Sequence, residues 1–146
     1  MNTDDPILAK ELRRDEGVEY SPYLDTVGVQ TIGVGHNMKA KPLPAGWTFP
    51  LSDAQVDQLL AEDLHEVFDG LDKNIPWWRN LSYERQRVLA NMAFNLGIKG
   101  LMGFKNTLAR IEDGHYQAAA DNMMLSKWAS QVGDRAKRLY ALMVMG

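Results

Sequence analysis

The chain has 146 residues, 45% hydrophobic and 24% charged, with 16 basic and 19 acidic side chains and a formal net charge of −3. That length suits one compact unit burying roughly two-thirds of the surface of its unfolded chain, the composition is that of an ordinary globular domain, and the negative balance argues against a general nucleic-acid binder. No run of about 18 apolar residues offers a membrane span, the acidic start MNTDDPILAK lacks the basic region and long apolar core of a signal peptide, and a chain without cysteine has no disulfide framework, in keeping with folding in a reducing cytoplasm.

Asp5-Pro6 opens a helix, an Asp cap followed by Pro at the first helical position. Ile7, Leu8 and Leu12 share a face, and Gly17 is the natural stop. Residues 20–36 change character: Tyr23-Leu24-Asp25, a Thr26-Val27-Gly28 turn and Val29 to Val34 read as a β-hairpin. Residues 37–51, with three prolines and a Gly, read as a loop. Ser52 and Gln55 make a capping box, and Val56, Leu59, Leu60, Leu64, Val67, Phe68 and Leu71 recur at helical spacing, so one long amphipathic helix is expected over about 53–72. Asn74-Ile75-Pro76 breaks it. Ser82 caps a second strong helix with Val88, Leu89, Met92, Ala93 and Leu96 as its apolar set, ended by Gly97. Shorter helices are expected over 105–112 and 115–125, and Asp134 is expected to cap a last helix running to Met145. The pattern is α+β: a small β lobe (about 17–52), a linking helix, and a helical lobe (about 73–146 together with the N-terminal helix) within one domain.

The chemistry-bearing residues gather early. Glu16 ends the first helix, Asp25 precedes the Gly turn, and Thr31 lies on the following strand, as E-x8-D-x5-T. Two carboxyls and a hydroxyl on different elements are what glycoside hydrolysis by direct water attack needs. Each also has a plain local reading: a charge in the helix end Arg13-Arg14-Asp15-Glu16, an Asp-x-x-Gly turn residue, and a β-branched strand residue. His36, following a strand, reads as a structural hydrogen-bonding group, with a carboxylate of the 53–72 helix such as Asp63 as its partner. The methionines read as gap-filling core, and three scattered histidines without cysteine give no metal spacing. Arg79, Arg85 and Arg87, and again Arg135, Lys137 and Arg138, are basic clusters, read either as solvated helix faces or as attraction to an anionic polymer such as a cell wall.

DEGVEYSPYLDTVGVQTIGVGH (15–36), NMAFNLG (91–97), GFKNTL (103–108) and SKW…DRAKR (126–138) recur in the order of one family. On these blocks the chain resembles the phage-type (T4-type) lysozymes, the endolysins of glycoside hydrolase family 24, over nearly its whole length. The resemblance implies a lysozyme-like fold with a cleft between a small β lobe and a helical lobe joined by a long helix. The 37–51 stretch is shorter than in the T4-type pattern, so a reduced β lobe is expected.

The same resemblance implies roles. Glu16 would be the general acid, and Asp25 the base that activates water or the anion that stabilises an oxocarbenium ion. Thr31 would hold the attacking water, and reaction would invert the anomeric carbon, with carboxyls about 6.5–9.5 Å apart. Phe94, Thr107 and Asn122 fall where the family contacts the glycan, and Asn37 stands where the T4-type pattern is usually apolar. Arg135 matches a family arginine beside the cleft, a candidate partner of Glu16. The implied activity is hydrolysis of the β-1,4 bond between N-acetylmuramic acid and N-acetylglucosamine in bacterial peptidoglycan, without metal or cofactor. The biological expectation is a monomer waiting in the host cytoplasm until a separate holin-type protein gives access to the wall, with no nucleic-acid or membrane partner, for host lysis by a phage. Two alternatives stand beside it: an inactive peptidoglycan-binding module, as within a phage tail, and a lytic transglycosylase, which uses one acid and the sugar's own hydroxyl in place of water.

Overall fold

Helix α1 spans Pro6–Glu16 in a computed structural model that describes residues 1–146. The Asp5 carboxylate accepts from the Leu8 amide at 2.9 Å, satisfying one of the amides a helix start leaves without partners. Gly17, at φ 78°, ends the helix and donates its amide to the Arg13 carbonyl, a conformation that costs a glycine little. Leu8 and Leu12 are buried, whereas Ile7 on the expected apolar face is 47% exposed.

The expected hairpin is present and carries a third strand. Strands β1 (Glu19–Leu24), β2 (Gln30–Gly33) and β3 (His36–Asn37) form an antiparallel sheet in that order. Gly28, at φ 81°, makes the β1–β2 turn. Strand β3 has two residues, too few to leave an alternation in the sequence. Its register aligns Tyr23 with Thr31 and Thr31 with Asn37, and Ile32 with His36. Directly opposed residues share a sheet face, so Tyr23, Thr31 and Asn37 form one row and Ile32 and His36 lie on the reverse side. The loop after β3 returns to the sheet where the Leu51 amide donates to the Tyr20 carbonyl at 2.8 Å.

The Ser52–Gln55 capping box forms as expected, with reciprocal bonds of 2.9 and 3.1 Å. It opens α2, Asp53–Asn74. Val56, Leu59, Leu60, Leu64, Phe68 and Leu71 are buried along it, the spacing read from the sequence. By its contacts the chain divides into residues 2–66 and residues 67–146. Within the first unit, Gly33 sits against Val56 and Leu59 of α2, and Ile32 and His36 are buried on the reverse side of the sheet, while Leu24 at its open end is 66% exposed.

In the second unit a short 3-10 turn, Trp78–Asn80, follows Pro76. It buries Trp78 completely, with the indole N–H on Asp72 at 2.7 Å. Helix α3 is Tyr83–Met102, capped by Ser82. Gly97 does break the helical backbone (φ 75°, ψ 159°), but helix resumes beyond it. Then come α4 (Lys105–Glu112), α5 (Tyr116–Met124), α6 (Lys127–Val132) and α7 (Asp134–Met145). Helix α5 packs on α4 and α7, and α3 and α6 also pack on α7. The core includes Leu89, Met92, Leu101, Ile111, Met123 and Met143. Seven helices and a small antiparallel sheet make the chain α+β, as the pattern predicts.

Two local expectations are corrected. Asp134 is the first residue of α7, not its cap; Gly133, at φ 58°, holds the cap position without a side-chain bond. Helix α6 is an element the sequence reading leaves unassigned, started by Ser126, whose hydroxyl accepts from the Ala129 amide at 3.1 Å. Nor are the arginines simply solvated faces: Arg87 and Arg135 are 7% and 6% exposed. Arg85 lies 3.4 Å over the Tyr116 ring while donating to the Met143 and Val144 carbonyls at the end of α7, where a cation is favoured by the helix dipole.

Candidate active site

The first unit brings Glu16, Asp25 and Thr31 around β1 and β2. Glu16 is half-buried at the last position of α1. Its carboxylate reaches the backbone of Gly35: a Cβ built there would lie 3.4 Å from Oε1. Gly35 also has φ 65°. The second glycine of the GVG turn therefore serves a left-handed backbone, with the Glu16 carboxylate packed close against it.

Asp25 is both a turn residue and a candidate base. Its Oδ1 accepts from the Val27 and Val29 amides at 2.9 and 2.8 Å, and its backbone bonds Val29 and Gly28 across the hairpin end, each at 3.0 Å. One oxygen thus locks the carboxylate to the turn, while Oδ2 has no hydrogen bond within the protein. Thr31 is 4% exposed, and its hydroxyl donates to the Val29 carbonyl at 2.8 Å. With that proton committed, Oγ1 faces any further partner as an acceptor. A water held by Thr31 must therefore donate to it.

Tyr23 joins this group unannounced by the sequence. It pairs with Thr31 across the strands, and burial together with the carboxylates of Glu19, Glu16 and Asp25 holds its phenol above the ordinary range. Local sequence shows only a tyrosine two residues before Asp25; the register that sets it beside Thr31 is a tertiary fact.

His36 is 2% exposed and bonded at both ring nitrogens, Nδ1 to Asp63 Oδ2 and Nε2 to the Lys41 carbonyl, each at 2.8 Å. Both partners only accept, so the pair of bonds calls for the doubly protonated ring. The Asp63 hydrogen bond, set against burial, raises the His36 pKa above its ordinary value. Lys41 bridges Asp63 and Glu66 at 3.2 and 3.0 Å. The ring is thus engaged in structure, as the sequence reading expects. Asn37 is exposed, and its Oδ1 accepts from the Lys39 and Ala40 amides at 3.0 and 2.9 Å. Only its N–H groups point outward chemically as donors.

In the second unit, Thr107 and Asn122 come together: the Thr107 hydroxyl donates to Asn122 Oδ1 at 2.6 Å. They line an open groove of about 670 Å³ with Phe104, Lys105, Asn106, Leu125 and Ser126. Phe94 is not part of its lining. The aromatic there is Phe104, held edge-on to Trp128 at 5.9 Å, and the GFKNTL block was the signal that carried it. Arg135 donates from Nε to Asn91 Oδ1 at 2.9 Å.

Three relatives place the chain. It is 28% identical to the pre-baseplate central spike protein of Enterobacteria phage T4, over 95% of this chain but only 28% of that protein. It is 28% identical to a probable T4-type lysozyme of Dictyostelium discoideum, covering 95% of this chain and 94% of that one. It is 31% identical to the endolysin of Salmonella phage P22, covering 84% and 82%. The phage lysozyme family model matches residues 13–143, and the chain belongs to that family.

Proposed function

We propose that the chain is a muramidase, hydrolysing the β-1,4 bond between N-acetylmuramic acid and N-acetylglucosamine in bacterial peptidoglycan. Membership of the phage lysozyme family makes it a lysozyme-type glycoside hydrolase. The observation that carries the reading further is the shared anchorage of Asp25 and Thr31 on Val29. In the proposed reaction Glu16 gives its proton to the glycosidic oxygen as the bond to the anomeric carbon breaks. A water donates one proton to Thr31 Oγ1 and the other to Asp25 Oδ2, and its lone pair attacks the carbon from the opposite face. Asp25 takes up the proton, and the new sugar end is inverted.

Lysis of outer-membrane-permeabilised Gram-negative cells by the parent and Glu16→Gln tests this. The variant should lose at least about a hundredfold in activity, the scale of general-acid help, with its circular dichroism retained. Equal lysis by the two proteins would remove the mechanism, and no lysis by the parent would favour a wall-binding module. The biological task that fits is host lysis at the end of phage infection, as a monomer held in the cytoplasm until a holin-type protein opens the membrane. A second setting is favoured by one relative: the chain spans 28% of a spike protein, so the same chemistry also suits a domain within a longer phage structural protein.

A further inference from the structure

The reverse side of the sheet is taken up by structure, with Ile32 and His36 buried. The other side carries the row Tyr23, Thr31, Asn37, one residue from each strand. The three differ in what they have left to offer. Tyr23 is 36% exposed, and its hydroxyl makes no hydrogen bond within the protein, whereas the Tyr20 and Tyr140 hydroxyls are each committed to an aspartate at 2.7 and 2.8 Å. Thr31 has given its proton to Val29 and remains an acceptor. Asn37 has spent its carbonyl on two backbone amides and remains a donor. Across the strands the row therefore reads donor, acceptor, donor. It spans two inter-strand spacings, roughly 10 Å, the scale of a disaccharide.

Resting on the muramidase reading, we propose that Tyr23 is a substrate-binding residue that holds an N-acetylated sugar beside Thr31, with Asn37 holding the far end of the same disaccharide. A phenol ring offers a flat apolar face to the C–H side of a pyranose, and its hydroxyl donates to a ring substituent. Burial first, and then the carboxylates of Glu19, Glu16 and Asp25, hold the phenol above its ordinary value, which favours the protonated, donating form.

The test separates binding from turnover. In a Glu16→Gln background, which removes the proposed acid, binding of a soluble peptidoglycan glycan fragment is followed by NMR titration, with and without Tyr23→Phe, Tyr23→Leu and Asn37→Ala. Tyr23→Phe keeps the ring and loses one donor, so the Kd should rise roughly three- to tenfold; Tyr23→Leu should weaken binding further. In the Glu16 parent the same changes should fall on KM more than on kcat. Unchanged Kd for both Tyr23 variants, with the spectra showing a folded sheet, would overturn the proposal while leaving the Glu16 result untouched. Failure of Glu16→Gln to impair lysis would instead strike the muramidase reading itself.

Discussion

In the proposed mechanism Asp25 holds two jobs. The turn needs only an oxygen that accepts two amides, which an amide carbonyl supplies as well as a carboxylate. Asp25→Asn should therefore leave the hairpin intact and the melting temperature little changed, while lysis falls at least about a hundredfold with loss of the base. Asp25→Ala should lose activity and also destabilise the chain by roughly 1–3 kcal/mol, two hydrogen bonds at the usual net worth; thermal unfolding separates the two effects. The plain reading and the functional one, rivals in the sequence, are here assigned to different oxygens of one side chain. His36 supports a second test. Its folded pKa is raised by Asp63, so its contribution to stability is present in full below the unfolded value and is lost as pH rises through the folded one. Unfolding in denaturant should show this loss on the alkaline side of 6.5, the ordinary value. It should vanish in His36→Gln, and NMR titration of His36 should give a midpoint above that value. An ordinary midpoint would contradict the assignment.

At the scale of elements, local chemistry was legible where it acts within a turn or two. The Asp5-Pro6 start, the Ser52–Gln55 box and the stripe from Val56 to Leu71 each leave a spacing in the sequence and each forms. What was not legible depends on the chain meeting itself at a distance. Strand β3 exists because His36 and Asn37 pair with β2, and the row Tyr23, Thr31, Asn37 follows from that register alone. The 3-10 turn is held by Trp78 and Arg79 on Asp72, at 2.7 and 2.8 Å. Gly97 is the intermediate case: the sequence marks the break, but not that helix continues after it. Its added Cβ would meet no atom within 4 Å, so Gly97→Ala should cost only the backbone strain of a positive φ with extended ψ, roughly 1–3 kcal/mol. Calorimetry or urea unfolding reads this; no loss would mean that the kink relaxes.

For the whole molecule, composition bounded the answer more than it specified it. A net charge of −3 conceals arginines spent on internal contacts: Arg87 over Tyr83 at 4.6 Å, Arg79 over Trp78 at 4.6 Å, and Arg135 on Asn91. These clusters look like surface in sequence because burial of an arginine is decided by partners far along the chain. The proposed chemistry runs on two carboxyls, a hydroxyl and water. Digestion of purified peptidoglycan should therefore be unchanged by a chelator and by a reductant, as read by release of soluble sugar; a loss with the chelator would call for a different mechanism. The central claim is that water, held by Thr31 and deprotonated by Asp25, is the nucleophile. Mass spectrometry of peptidoglycan digested in heavy-oxygen water tests it most directly. Reducing N-acetylmuramic ends carrying one solvent oxygen are the expected product, and anhydro ends without solvent oxygen would contradict the account.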